Sequence, residues 1–477
     1  MRLKTDYINF APELFDEVKM FVSELKYELV TNEDTDIADE NDLMEHSVKR
    51  DGINYISSVK YKGIEINMPF VIPYNSSELM CKKLLKRYSK LSVYNCMKRL
   101  YNCKLPWGAL TGIRPTRVMY EILENGLSIN AMQEIYDVSK EKCELVEKII
   151  KAQKGLINED EKAIDIYVGI PFCVSKCTYC TFTSGLINKL KVYVEPYIET
   201  LIGEIKEAFE IIKEGGYRLE NVYFGGGTPT SLNAEQLKRL VELFDSAKIQ
   251  EFTVEAGRPD TITTEHLEML KQNGVNRISI NPQTFNNETL ALINRKHTIE
   301  QIYESYYKAK EYGFIINMDL IAGLPQENFE MFKKSLDECV LLDADNITVH
   351  TLALKRGSVL YENAERENNE VEVARMIEYA YNTLCNKGYI PYYLYRQKYM
   401  TGNLENVGYC KEDKQCRYNI DIMEERKSIL ACGSNSISKK VYMKEGRIER
   451  LADTKDVKLY VERGDGNSER KKKLFCC

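Results

Sequence analysis

The chain has 477 residues, of which 44% are hydrophobic and 29% charged, with a formal net charge of −6. That length exceeds one ordinary core and predicts two or three domains, and the acidic balance gives no global electrostatic reason to bind nucleic acid. Its fourteen cysteines are scattered, its start at Met1-Arg2-Leu3-Lys4-Thr5-Asp6 lacks a secretory pattern, and no apolar run is long enough to span a bilayer. These features argue against a disulfide framework or a membrane protein and place the chain in a reducing cytoplasm.

Residues 1–160 read as an α+β domain. Stretches 53–60 and 63–72 predict two strands joined by a turn at Tyr61-Lys62, and Pro73-Tyr74-Asn75-Ser76-Ser77 offers cap residues for a helix running towards Tyr101. Leu84, Leu85, Tyr88, Leu91 and Tyr94 recur on it at helical spacing, the pattern of a core-facing stripe. The segment 105–117 carries the only tryptophan, Trp107, with Arg114 and Arg117. It reads as a turn anchored by a buried ring; an exposed Arg/Trp loop for an anionic partner is the alternative. Helical patterns continue over 130–154, and Asn158-Glu159-Asp160-Glu161-Lys162 marks a boundary.

From Ile164 strands and helices alternate. Strands are predicted at 165–170, 221–224, 252–255, 277–281, 315–320 and 346–350, with amphipathic segments at 195–213, 234–246, 264–273, 299–312 and 329–342. Six βα units in a row predict an α/β core of parallel strands with helices outside, a sheet that can curve into a partial barrel. Active sites in such folds lie at the C-terminal ends of the strands.

The first strand runs straight into Cys173, Cys177 and Cys180, a C-x3-C-x2-C spacing. Three thiolates can hold three irons of a cubane cluster and leave the fourth open. Zinc normally asks for a fourth ligand, and His46, His266, His297 and His350 are all distant in sequence; inert core thiols are the remaining alternative. The other strand ends are also polar: Gly225-Gly226-Gly227-Thr228, then Glu255-Ala256-Gly257-Arg258, Asn281-Pro282-Gln283-Thr284, Arg295-Lys296-His297, Asp319 and His350. The glycines let a ligand approach the backbone, but the stretch lacks the Lys-Ser/Thr of a phosphate-binding loop. Taken singly, Glu255 and Asp319 can be caps or ion pairs, Arg295 a surface charge and Gln283 a turn amide.

On these motifs the chain resembles the radical S-adenosylmethionine (SAM) superfamily, and within it the oxygen-independent coproporphyrinogen III oxidase group, which includes haem chaperones. Val254-Glu255-Ala256-Gly257-Arg258-Pro259-Asp260, Arg277-Ile278-Ser279-Ile280-Asn281-Pro282-Gln283-Thr284 and Pro106-Trp107-Gly108 look most like its coproporphyrinogen dehydrogenase branch. The resemblance implies a partial (β/α)6 barrel core at 161–370 and a smaller, substrate-covering C-terminal domain at 371–462. It implies a [4Fe–4S] cluster on Cys173, Cys177 and Cys180, and SAM contacts from Tyr167, Tyr179, Gly226, Gly227, Thr228, Glu255, Gln283, Arg295 and Asp319. It further implies a tetrapyrrole substrate whose propionates become vinyls, and a small electron donor such as flavodoxin or ferredoxin; no nucleic acid or membrane partner is expected.

Two positions depart from the group. Phe182, two after the third cysteine, stands where the oxidases often have a further cysteine and the chaperones have Phe, yet the His-Asn and Tyr-Trp features of the chaperones are missing from Cys416-Arg417-Tyr418-Asn419 and beyond. Asn435 interrupts the small-residue turn at Gly433-Ser434-Asn435-Ser436. Cys410, Cys416 and Cys432 read as ordinary thiols, with haem iron or a second metal as the alternative. The last stretch, 463–477, is polar and reads as a mobile tail.

Overall fold

A computed structural model describes the chain except residues 23–24, 31–41, 113, 158–159, 354–357, 363–369, 398–399, 465–466 and 477. Asn158 and Glu159 of the expected boundary, Ile113 of the tryptophan loop, and Asp465, Gly466 and Cys477 of the expected tail therefore lie outside the described residues. The chain divides into two units, Met1–Glu147 and Lys148–Cys477.

In the first unit, β1 (Arg2–Thr5), β2 (Glu28–Leu29), β3 (Leu43–Asp51), β4 (Asn54–Tyr61) and β5 (Ile64–Val71) form a sheet in the order β2-β1-β3-β4-β5. The two strands read from 53–72 are β4 and β5, paired antiparallel from Asn54↔Val71 to Tyr61↔Ile64. Helices α1 (Ala11–Lys19), α2 (Glu78–Tyr101), α3 (Pro115–Glu124) and α4 (Asn130–Tyr136) accompany it, and α5 (Lys140–Gln153) follows. Ser77 caps α2, its Oγ accepting from Met80 N at 3.2 Å, which satisfies one of the donors a helix start leaves free. Leu3, Phe10, Leu14, Met44, Val59, Val93 and Met97 share one core. Trp107 is 1% exposed, so the tryptophan loop is a buried anchor.

In the second unit the six predicted strands are β6 (Ala163–Ile170), β9 (Arg218–Gly226), β10 (Glu251–Glu255), β11 (Arg277–Ser279), β12 (Ile315–Ala322) and β13 (Asn346–Thr351). They pair in parallel and in chain order. The short strands β7 (Phe172–Cys173) and β8 (Gly185–Leu186) lie between the first two. Helices α6 (Lys191–Glu214), α7 (Ala234–Val241), α8 (Thr264–Gln272), α9 (Asn287–Leu292), α10 (Ile299–Glu311) and α11 (Phe329–Leu341) connect them. Asn233 with Gln236 and Thr298 with Gln301 form capping boxes that set the starts of α7 and α10. β6 is buried at almost every position, as expected for a parallel strand covered on both faces. The result is the expected α/β partial barrel, with the sheet open rather than closed.

The sheet is larger than six strands. After α12 (Val359–Glu362) and α13 (Glu370–Asn386), β14 (Ile390–Tyr395) and β15 (Asn406–Cys410) return antiparallel, β15 lying on β13. After α14 (Arg417–Glu424), β16 (Ser428–Cys432) joins the opposite edge, parallel to β6, and β17 (Ile437–Tyr442) and β18 (Arg447–Ala452) extend it. Among the described residues eleven strands form one sheet, in the order β14-β15-β13-β12-β11-β10-β9-β6-β16-β17-β18. The last residues form α15 (Val457–Arg463) and α16 (Ser468–Cys476). Lys471 of α16 is buried in an ion pair with Glu204 of α6, and Phe475 meets Tyr217 edge-on with ring centroids 6.0 Å apart.

Candidate functional site

The cysteine loop leaves β6 at Ile170 and is folded back by the β7–β8 pairing of Phe172 with Gly185 and Cys173 with Leu186. Residues after α9 pin its far side. Thr178 N donates to Ile293 O at 3.1 Å, Ser175 Oγ to Asn294 O at 3.0 Å, and Asn294 Nδ2 to Lys176 O at 2.7 Å. Cys173, Cys177 and Cys180 are free thiols of intermediate burial and open on one cavity of about 720 Å³. Among the described residues no three His, Cys, Asp or Glu side chains converge on a single-ion position. A tetrahedral zinc site needs such convergence; a cubane cluster, whose thiolates bind different irons, does not.

Beside the thiols, the turn after β9 passes close to the loop. Gly226 has φ of +109°, and a Cβ on Gly227 would lie 2.5 Å from Phe172 O and 3.0 Å from Cys173 Sγ. Only glycine lets the two segments approach this closely. Thr228 N donates to Phe172 O at 2.8 Å, and its Oγ1 stands 3.6 Å from Cys173 Sγ.

The remaining strand ends complete the wall. Glu255 accepts from Tyr223 OH at 2.5 Å, and burial pushes its carboxyl up to about 7. Gln283 is a non-glycine residue with φ of +68°, held by Gln283 N donating to Asp319 O at 2.9 Å and Ile321 N donating to Gln283 O at 3.0 Å. β11 stops at Ser279, short of the predicted 281, and left-handed non-glycine residues concentrate where a site over-determines them. Arg295 is 9% exposed, not a surface charge. It donates to Gly257 O at 2.9 Å, Asn281 O at 3.1 Å and Tyr179 OH at 3.1 Å. Asp319 accepts from Asn317 Nδ2 at 2.7 Å and lies 3.6 Å from His350 Nε2. Burial works against its charge, yet these partners hold its carboxyl below the usual range.

All twelve residues named from the sequence line this one cavity. Several buried polar atoms around it have no protein partner: Arg295 Nε, Asn281 Oδ1 and Thr253 Oγ1. Buried polar groups are ordinarily satisfied, so these orphans mark donor and acceptor capacity suited to a polar ligand such as SAM.

A second set of lining residues was not foreseen. Tyr167 stacks on Tyr223 at 6.3 Å and on Tyr418 at 6.2 Å, and Tyr223 stacks on Tyr418 at 4.3 Å. Tyr392, Tyr393 and Tyr395 of β14 line the same space, Tyr395 OH standing 3.1 Å from His350 Nδ1. The signal was present as 32 tyrosines against one tryptophan, but nothing local ties Tyr418 to Tyr167. Ser434, Asn435 and Ser436, between β16 and β17, and Ile437 at the start of β17 also reach the cavity because β16 runs parallel to β6. Of the three later cysteines only Cys416 touches it. Its Sγ donates to Glu251 Oε1 at 3.1 Å, and burial pushes all three thiols up, Cys410 to about 12.

Residues 167–339 match the family model for the Radical SAM superfamily. The oxygen-independent coproporphyrinogen-III oxidase-like protein HemZ of Bacillus subtilis (strain 168) is 41% identical over 384 residues, 77% of this chain and 77% of its own. The heme chaperone HemW of Lactococcus lactis subsp. lactis (strain IL1403) is 37% identical over 242 residues, 49% of this chain and 61% of its own. Among solved structures, coproporphyrinogen III oxidase (HemN) from Escherichia coli, a radical SAM enzyme, aligns with a TM-score of 0.52 and 22% identity, covering 67% of this chain and 77% of that one. That likeness bears on the fold alone.

Proposed function

The chain belongs to the radical SAM superfamily and, within it, to the oxygen-independent coproporphyrinogen III oxidase-like group, and from that premise we propose that it oxidatively decarboxylates coproporphyrinogen III propionates to vinyls, giving protoporphyrinogen IX. Its cofactors are a [4Fe–4S] cluster and SAM, which when bound together supply a radical able to take a hydrogen atom from an unactivated carbon. Cys173, Cys177 and Cys180 would hold the cluster. Gly226, Gly227 and Thr228 would present backbone and hydroxyl groups to the methionine end of SAM, while Glu255, Gln283, Arg295 and Asp319 would supply the charged and amide contacts around it. Tyr167 and Tyr179 flank the same space.

One observation carries the reading: the thiols, the strand-end polar groups and a tyrosine wall open on a single cavity. The apolar pyrrole rings of a tetrapyrrole fit against the phenol rings, and the polar rim fits its carboxylates. At the propionate, removal of a β-hydrogen as an atom, followed by loss of CO2 and transfer of one electron to an external one-electron acceptor, leaves a vinyl group. The residues contribute orientation and water exclusion rather than acid–base chemistry. An external one-electron carrier of the flavodoxin or ferredoxin class would reduce the cluster.

A haem chaperone is the second reading, favoured by Phe182, an aromatic ring 68% exposed where it lines the cavity. Both readings meet one test. Anaerobically reconstituted protein is supplied with reductant and SAM, and with coproporphyrinogen III or haem in parallel. Protoporphyrinogen IX with released CO2 supports the oxidase; stoichiometric haem retention without any vinyl product replaces it with the chaperone.

A further inference from the structure

Arg258, in the loop after β10, reaches the cysteine loop. The residue is 2% exposed. Its Nε and Nη2 donate to the two oxygens of Asp260 at 3.1 and 3.0 Å. Its Nη1 donates to Ser175 Oγ at 2.6 Å and Ser175 O at 3.3 Å, and stands 4.0 Å from Cys177 Sγ. Ser175 lies between the first two cysteines, so one guanidinium both braces the loop and sets a buried positive charge beside a thiolate position. The fork of five donors suits this double duty, which a lysine could not reproduce.

Asp260 offsets that charge from the Nε and Nη2 edge, which leaves Nη1 as the edge of the pair that stands 4.0 Å from Cys177 Sγ. His297, whose Nδ1 lies 3.9 Å from Asp260 Oδ1, is a neutral neighbour because burial pushes it down to about 3, and it adds no further charge. Arg295, the other guanidinium near the loop, spends its Nη donors on Gly257 O, Asn281 O and Tyr179 OH. Away from water a charge near 4 Å is screened weakly, and the potential of an iron–sulfur cluster follows the net charge and hydrogen bonding around its sulfurs.

We propose that Arg258 is a positioning residue that braces the cysteine loop through Ser175 and, by its charge beside Cys177, raises the reduction potential of the cluster, with Asp260 setting how far. The inference rests on the reading of Cys173, Cys177 and Cys180 as cluster ligands. Reduction adds one electron from an external carrier, dithionite in the test, and moves no proton, so a fixed positive charge favours the reduced form directly.

The experiment is an anaerobic redox titration of the reconstituted full chain, followed by electron paramagnetic resonance, with iron and sulfide measured per chain. Arg258→Gln should lower the potential by at least a tenfold change in the reduced-to-oxidised ratio, about 59 mV for one electron. Asp260→Asn leaves the guanidinium and removes its counter-anion, so it should shift the potential upward. Opposite shifts are not what a general disturbance of the loop would produce. If Arg258→Gln does not fold, the direction of the Asp260→Asn shift decides alone. An unchanged potential in Asp260→Asn, or shifts of both variants in the same direction, overturns the proposal while leaving the cluster in place; absence of iron and sulfide from the unsubstituted chain overturns the ligand reading and the proposal with it.

Discussion

The two ends of the barrel handle charge in opposite ways. At the N-terminal ends of the strands, Lys427 is shared among Asp421 at 2.7 Å, Glu220 at 2.9 Å and Asp165 at 3.5 Å. Arg277 pairs with Glu251 at 3.3 Å and donates to Lys414 O and Gln415 O, both at 3.0 Å. Cys416 and Tyr418, the backbone of the latter, also bind Glu251. These contacts join α14 to the starts of β6, β9 and β10, so charge here is consumed in holding the return of the chain. At the C-terminal ends, Arg295 keeps an unpartnered Nε and Asn281 an unpartnered Oδ1, and Glu255 is held by the Tyr223 phenol and the Gly226 backbone with no cation beside it among the described residues. Buried charge at the first end ties distant segments of the chain together, although Asp165 Oδ2 is left without a partner there, and at the second end buried polar groups surround the space for a ligand.

Lys427→Met should show the largest effect. Removing the cation strands the buried Asp165 and Asp421, while Glu220 keeps Arg218 at 2.6 Å, and breaking a buried pair from one side costs about 3–5 kcal/mol. Urea unfolding should register that loss, while iron bound per folded chain stays as in the parent. A variant that keeps its unfolding midpoint but loses iron would reverse the assignment of the two ends. Gly227→Ala comes next and strikes the other end. Its Cβ would press on Phe172 O and Cys173 Sγ, an overpacking worth about 1–3 kcal/mol. SAM affinity should fall at least tenfold by equilibrium dialysis, with a smaller stability loss than Lys427→Met.

How far such a division could be read in advance depends on where each group's partners lie in the chain. The cysteines were legible because cluster ligation demands three thiols at short fixed spacing, and Glu255, Gln283, Arg295 and Asp319 because a βα repeat delivers strand ends to one rim. Tyr418 and the Asp165–Asp421–Lys427 cluster were not. Asp165 and Asp421 meet only because β16 docks parallel to β6, a pairing that no local periodicity specifies. Lys471 was hidden for the same reason: Ser468-Glu469-Arg470-Lys471-Lys472-Lys473 is polar throughout, and the burial of one lysine follows from Glu204 waiting on α6, far upstream. Arg258 was in view as a residue after a strand, but its reach to Ser175 depends on the loop geometry.

Glu255 gives a smaller and sharper test. Burial raises its folded pKa to about 7, above the ordinary 4.5, so the folded state holds the proton more tightly than the unfolded chain. The stabilisation is therefore complete below the ordinary value and lost as pH rises through about 7. Glu255→Gln carries a neutral side chain at every pH. Comparing chemical denaturation of the two chains near pH 5 and near pH 8, the balance should move in favour of the Gln variant at the higher pH. A difference that does not change with pH would mean that Glu255 is compensated in the folded chain, as Glu220 is at the opposite end by Lys427 and Arg218.

Phe182→Ala should have the least effect on the fold. The ring is 68% exposed, and surface substitutions outside packed or paired sites usually stay within about 0.5 kcal/mol. Neither the unfolding midpoint nor SAM affinity should move, since no contact of this ring supports the strand-end polar groups. Tetrapyrrole binding is where a change is expected, because an exposed aromatic at the mouth of the cavity offers a face for a macrocycle to stack on. A several-fold loss of porphyrinogen or haem affinity, read by fluorescence quenching, would make the rim a divided surface, polar groups for SAM and an aromatic edge for the tetrapyrrole. Unchanged tetrapyrrole affinity would move that contact inward to Tyr167, Tyr223 and Tyr418, and the wall between the two charged ends would then be the substrate face.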